Sequence, residues 1–166
     1  VAKLEGLVSP ELIAEAASYD SLISVVDEGE VCGSLFSKTM EKNELGFYKS
    51  AVNLMHDITE GGVFGASYEM ASYSGVGLKI FEDSIPITKA SQSICQAMKL
   101  DPYRLISSGS LLIASSESDK VIEALSKIDV KSTVIGEFIE EGFIRIDKNG
   151  NESILTEPCT DELYKM

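Results

Sequence analysis

The chain has 166 residues, 44 % of them hydrophobic and 25 % charged, a globular composition that excludes a disordered or low-complexity protein. A formal charge of −13 and a pI near 4.4 argue against nucleic acid or an anionic membrane as the main partner, since both reward clustered Lys and Arg. Apolar runs fall far short of the roughly 20 residues that span a bilayer. The start, Val1-Ala2-Lys3-Leu4-Glu5, lacks the regions of a signal peptide, so the sequence predicts one cytoplasmic domain over residues 1–166.

In chain order, Ser9-Pro10-Glu11 reads as a helix start. Ser9 can cap free amides, Pro10 suits the first helical position, and Leu12, Ile13, Ala16 and Ala17 make one apolar stripe, which predicts a helix over 10–18. Residues 22–26 have the β-branched content of a strand, but Val31, Leu35 and Phe36 continue a helical spacing that tolerates Gly29 and Gly33, and this favours a helix. Residues 40–49 are a polar connection around Gly46, and 51–55 a buried strand. Val63, Phe64, Ala66, Ser67, Met70 and Ala71 recur at helical spacing, and Ser74-Gly75 ends that helix. A strand over 78–81, a helix over 88–99 after Pro86, and an apolar strand over 111–114 follow. Ser116 or Ser118 caps the next helix, which turns Val121, Ile122 and Leu125 inward. Strands over 133–138 and 143–147 form a hairpin around Glu140-Glu141-Gly142, and 148–151 is a turn. The pattern predicts an α+β fold, a mixed β-sheet packed with helices.

Three cysteines, Cys32, Cys95 and Cys159, lie far apart with no C-x-x-C spacing and are odd in number, which argues against a zinc site or a disulfide framework. Cys32 and Cys95 read as small buried thiols, whereas Cys159 follows Pro158 in a polar tail.

The densest chemistry lies in His56-Asp57-Ile58-Thr59-Glu60-Gly61-Gly62, where a strand turns into a helix. The first amides of a helix lack intrahelical partners, the helix dipole favours an anion there, and glycines remove side chains that would block a ligand. A purely structural role accounts for the same residues: Thr59 or Asp57 caps the helix and the glycines make the turn. Asp57 and Glu60 would repel a bare phosphate, so a bound magnesium ion or an oriented substrate amine suits them better. His56, the sole histidine, is either a proton carrier or a hydrogen-bonded structural residue. A second loop, Ser107-Ser108-Gly109-Ser110, is an ordinary tight turn or the other edge of a cleft. No phosphate-binding GxxxxGK[ST] loop, dinucleotide-binding GxGxxG or GxSxG elbow is present.

Three blocks, MHDITEGGVFGASYEMASYSGVGLKIFEDSIPI, LDPYRLISSGSLLIAS and VIGEFIEEGFIRI, resemble in order and spacing the C-terminal domain of the aminoimidazole ribonucleotide (AIR) synthase superfamily. Within it, the H-D-x-T-E-G-G loop is most similar to the hydrogenase maturation factor HypE and its relatives. The resemblance implies a mixed sheet with helices and an N-terminal domain that supplies most of the ATP and Mg2+ site and forms a homodimer. It also implies a maturation partner protein and no nucleotide held tightly by this domain alone. His56, Asp57 and Glu60 would then be catalytic, and Thr59, Gly61, Gly62, Ser108 and Gly109 would position phosphates or an activated acyl group at the cleft between the two domains. The implied reaction is ATP-dependent activation of an amide or carbonyl oxygen through a phosphorylated intermediate, in HypE proper the dehydration of a carbamoyl group on a C-terminal cysteine. This chain departs from that pattern, because Cys159 is followed by seven further residues, Thr160 to Met166. A small-ligand-binding or scaffolding module that keeps the fold is the alternative.

Overall fold

Ser9 starts the first helix as its sequence predicts: its hydroxyl accepts from the Leu12 amide at 3.4 Å, and α1 runs over Pro10–Ser18 with Pro10 at its first position. The computed structural model describes residues 4–36, 41–158 and 160–165. After one 3-10 turn at Tyr19–Leu22, α2 spans Val26–Ser34, so the helical reading of the second apolar segment is correct although the helix starts only at Val26. The strand expected at 51–55 forms three residues later, as β1 (Leu54–Asp57), while Ala51 and Val52 pack in the core as an extended lead-in.

Helix α3 (Gly62–Ser74) buries Val63, Phe64, Ala66, Ser67, Met70 and Ala71, the residues its spacing singles out, and ends on Gly75 at φ +69°. β2 (Gly77–Phe81) follows. α4 (Lys89–Met98) is capped by Thr88, whose Oγ1 accepts from the Ser91 amide at 3.1 Å. β3 (Leu111–Ala114) leads to α5 (Ser118–Ser126). Neither Ser116 nor Ser118 caps α5: Glu117 holds the cap position, and its amide donates to Ser115 Oγ at 2.9 Å. β4 (Gly136–Ile139), β5 (Phe143–Ile146) and β6 (Glu152–Ile154) complete the strands of the described residues.

The strands pair as two sheets, β1 with β3 and a mixed sheet in the order β4-β2-β5-β6. The hairpin expected between β4 and β5 does not form. β2 lies between them, antiparallel to β4 and parallel to β5. The link through Glu140, Glu141 and Gly142 therefore crosses the start of β2, where a Cβ on Gly77 would stand 2.5 Å from Glu141 C and Gly142 O. Glycine at 77 lets the link pass. Two inter-strand spacings make about 10 Å, within reach of three linking residues. The hairpin is instead β5–β6, closed by the turn at 148–151.

Two clusters make the core. One joins α3 and β2 through Ile58, Val63, Phe64, Ala66, Ala71, Leu78, Ile80 and Leu155, and the other joins α2 and α5 through Cys32, Ala51, Val52, Val121 and Leu125. Phe64 is fully buried, stacks on Tyr103 at 4.9 Å, and has the Arg104 and Arg145 guanidinium groups 5.7 and 5.2 Å from its ring.

Candidate functional site

The loop from β1 to α3 is shaped by two successive residues in the left-handed region, Gly61 at φ +82° and Gly62 at φ +63°. Space adds a second requirement at Gly62, where a Cβ would stand 2.6 Å from Tyr103 O and 2.7 Å from Leu105 O. The side of Gly62 that the sequence suggests is open to a ligand is filled by the backbone of 103–105. Four of the amides at the helix start are likewise engaged. Gly61 N–H donates to Asp161 Oδ2 at 2.8 Å, Gly62 N–H to Thr59 O at 3.1 Å, Phe64 N–H to Tyr103 O at 3.0 Å, and Gly65 N–H to Gly61 O at 2.9 Å. No side chain caps α3 in the manner considered for Asp57 and Thr59; Gly61 holds the cap position.

His56 projects from β1 and is about a quarter exposed. Its Nδ1 lies 2.5 Å from Asp57 O and 3.7 Å from Asp57 Oδ1, and its Nε2 lies 3.2 Å from Glu69 Oε2 on α3. Both ring nitrogens thus face acceptors. A histidine that moves a proton to a substrate from this position must first free one ring nitrogen, Nδ1 from Asp57 O or Nε2 from Glu69. Asp57, Thr59 and Glu60 are exposed. Glu60 Oε1 accepts from Tyr164 OH at 2.8 Å, and this bond is the main cause that raises the Tyr164 phenol pKa. Asp57, Glu60, Glu69 and Asp161 make the helix entrance acidic, so a bare phosphate would meet repulsion there. Among the described residues no three His, Cys, Asp or Glu side chains converge to hold a metal ion.

The second loop sits beside the first because β1 and β3 pair with Asp57 opposite Leu111. Backbone bonds tie the two, Ile58 N–H to Ser110 O at 3.1 Å and Ser107 N–H to Ile58 O at 3.3 Å. The Ser107-Ser110 stretch is a tight turn, with Ser110 N–H donating to Ser107 O at 3.1 Å and the two hydroxyls 2.9 Å apart. Ser108 is exposed, and Gly109 at φ +87° faces inward, where a Cβ would stand 2.1 Å from Leu22 O. A cleft of about 1020 Å3 opens between the sheets, bordered by residues 107–110 and by Ile58 and Val63. His56, Asp57, Thr59, Glu60, Gly61 and Gly62 lie outside it. The fold therefore brings the two predicted loops together without turning their polar groups onto one cleft.

Sequence reasoning missed Glu69, Tyr103, Arg104, Asp161 and Tyr164. Glu69 was legible in principle, seven positions after Gly62 and thus on the same face of α3. Asp161 and Tyr164 lie about a hundred positions from their partners and carry no periodic signal. Cys32 and Cys95 are buried, and burial raises both thiol pKa values, as expected of packed, unreactive cysteines. Cys159 lies outside the described residues.

Residues 33–148 match the profile of the AIR synthase related protein, C-terminal domain. That is well over half of the chain, which belongs to this family. A putative hydrogenase expression/formation protein of Methanocaldococcus jannaschii is 43 % identical over 68 residues, 41 % of this chain and 20 % of that protein. Carbamoyl dehydratase HypE of Escherichia coli is 28 % identical over 99 residues, 57 % of this chain and 30 % of that protein. The crystal structure of E. coli HypE superposes with a TM-score of 0.62 at 28 % identity, over 69 % of this chain and 37 % of that one. HypE in a complex with HypF superposes at 0.58 with 26 % identity, covering 65 % and 37 %. HypE in complex with ATP, 18 % identical over 69 % and 37 % with a TM-score of 0.59, shares the fold. The chain spans about 20 to 30 % of the length of these curated relatives.

Proposed function

We propose that this chain is the C-terminal part of a HypE-like, ATP-dependent enzyme, in which the 56–62 loop forms one wall of a site completed by an N-terminal domain of the same protein. The observation that carries the reading is the position of His56-Asp57-Ile58-Thr59-Glu60-Gly61-Gly62 at the junction of β1 and α3 in a chain that belongs to the AIR synthase related family. ATP supplies the phosphoryl group that turns an amide or carbonyl oxygen into a leaving group. In this reading the chain alone holds no nucleotide: the amides of Gly61, Gly62, Phe64 and Gly65 are bonded internally, and among the described residues no three His, Cys, Asp or Glu side chains converge on a metal ion.

What the chain's own residues offer is narrower. The hydroxyls of Thr59 and Ser108 are on exposed positions and can orient a ligand's oxygen, and Asp57 and Glu60 can hold an amine or a metal-bound phosphate brought by the other domain. His56, once one ring nitrogen is freed, can carry a proton. The HypE structure that holds HypF supports a maturation partner protein for the whole enzyme, whose substrate we take to be an amide or carbonyl compound of the kind a carbamoyl dehydratase uses.

Calorimetry with magnesium-ATP tests the reading. The 166-residue chain is expected to show no binding, and the full-length protein to bind and turn over ATP. Micromolar binding to the chain, about −8 kcal/mol, would show a complete nucleotide site here and overturn the half-site reading. A full-length protein that binds no nucleotide would overturn the enzyme reading in favour of a scaffolding module.

A further inference from the structure

Residues 160–165 dock on the 56–62 loop in an unusual way. Two of their carboxylates are inside, Asp161 at 1 % and Glu162 at 4 % exposure, while Leu163 and Tyr164 are 41 % and 66 % exposed. A segment held by hydrophobic burial would be turned the other way round. Here the contacts are polar. Asp161 Oδ2 accepts from Gly61 N–H at 2.8 Å and its Oδ1 from Leu163 N–H at 2.8 Å. Tyr164 OH donates to Glu60, Glu162 Oε2 accepts from Asp101 N–H at 3.2 Å, and Glu162 Oε1 accepts from Lys165 Nζ. Glu162 N–H donates to Arg104 O at 3.4 Å, Arg104 Nη2 donates to Thr156 Oγ1 at 2.8 Å, and the ring of Pro158 lies against Gly61 and Gly65.

We infer that residues 156–158 and 160–165 form a strap over the loop: Asp161 holds the Gly61 amide, which becomes available to a ligand only when the strap lifts, and Tyr164 braces the strap through one oxygen of the exposed Glu60 carboxylate. The inference rests on the proposed function for the identity of the loop as a ligand-facing edge. The contact between a buried carboxylate and a backbone amide at a helix start is the one an anionic ligand group would make, so such a group and Asp161 compete for a single donor. Each bond of the strap exchanges with water at small net gain and the segment adds little apolar burial, so it can open while α3 stays folded.

Amide hydrogen exchange followed by NMR on the 166-residue chain tests this without any nucleotide, so it fails independently of the magnesium-ATP titration. In the unmodified chain the Gly61 amide is expected to exchange at least tenfold faster than that of Ala71, in the buried middle of α3, because it opens with the strap alone. Asp161→Ala should speed Gly61 exchange about tenfold further and leave Ala71 unchanged, the loss expected of one charge-assisted bond. Equal exchange at Gly61 and Ala71 in the unmodified chain would overturn the proposal, since the segment would then open only with the whole fold. Should Asp161→Ala fail to fold, Tyr164→Phe keeps the ring and every backbone bond. It should speed Gly61 exchange several-fold, and an unchanged rate there overturns the strap.

Discussion

At the scale of single residues, the glycines of this chain divide by what surrounds them. Gly62 combines φ +63° with a backbone 2.6 Å from where a Cβ would stand, so it is required on two independent grounds. Gly29 sits within α2 with nothing inside 4 Å of its would-be Cβ. Gly62→Ala should therefore destabilise the chain by about 2–4 kcal/mol, through left-handed strain and a displaced 103–105 segment. Gly29→Ala should stabilise it by about 0.5–1 kcal/mol, because alanine loses less backbone freedom on forming a helix. Urea unfolding of the two variants checks both, and an alanine tolerated at 62 would show that the close approach of residues 103–105 is not maintained in solution. His56 follows the same logic of surroundings: its neighbours on the strand are given by the sequence, while its partner Glu69 comes from α3, so its environment follows from how α3 packs.

Elements were legible where the signal was local. α1, α3, α4 and β3 form where caps, glycine stops and apolar spacing predict them, because those signals act within a few residues. The β4–β5 hairpin was misread because turn chemistry around Gly142 is compatible with a hairpin and with a link that crosses β2, and only the absence of a side chain at Gly77, some sixty positions away, distinguishes them. β6 escaped notice because its three residues are all exposed and hold no alternation to read. The candidate site divides in the same way: the loop itself was visible, and the Asp161 and Tyr164 contacts that cover it were not, since long-range polar contacts leave no periodicity. The β5–β6 turn yields a prediction of its own. Asp147 accepts from the amides of Asn149 and Asn151 and from the Asn151 side chain, which lowers its pKa from 3.8 to about 2, the Asn151 side-chain bond being the largest cause. A depressed carboxylate stabilises the fold above the unfolded value and loses that contribution as pH falls, so the turn should loosen from about pH 4 toward pH 2. A carboxyl-detected NMR titration should place Asp147 near 2, and a value near 4 would mean the turn is open in solution.

At the scale of the whole molecule, the two core clusters are unequal. The α3–β2 cluster holds Phe64, Ile80 and Leu155, all under 2 % exposed, and is braced by the stacked Tyr103. The α2–α5 cluster has five members, of which Cys32, Ala51 and Val52 are small, and the exposed Val26 and Phe36 at the ends of α2 add little burial. Buried apolar area sets most of the resistance to opening, so α2 and α5 should open together at a lower free energy than the central sheet. Leu125 is the largest side chain of the smaller cluster and is 2 % exposed. Leu125→Ala should remove about 2–5 kcal/mol from that unit. Hydrogen exchange read by mass spectrometry at low urea should show faster exchange in peptides from 26–34 and 118–126, with those covering 77–81 unchanged. Equal acceleration in all three would mean that the clusters form one cooperative core, and the smaller cluster could not then move as a unit against the wall that carries the 56–62 loop.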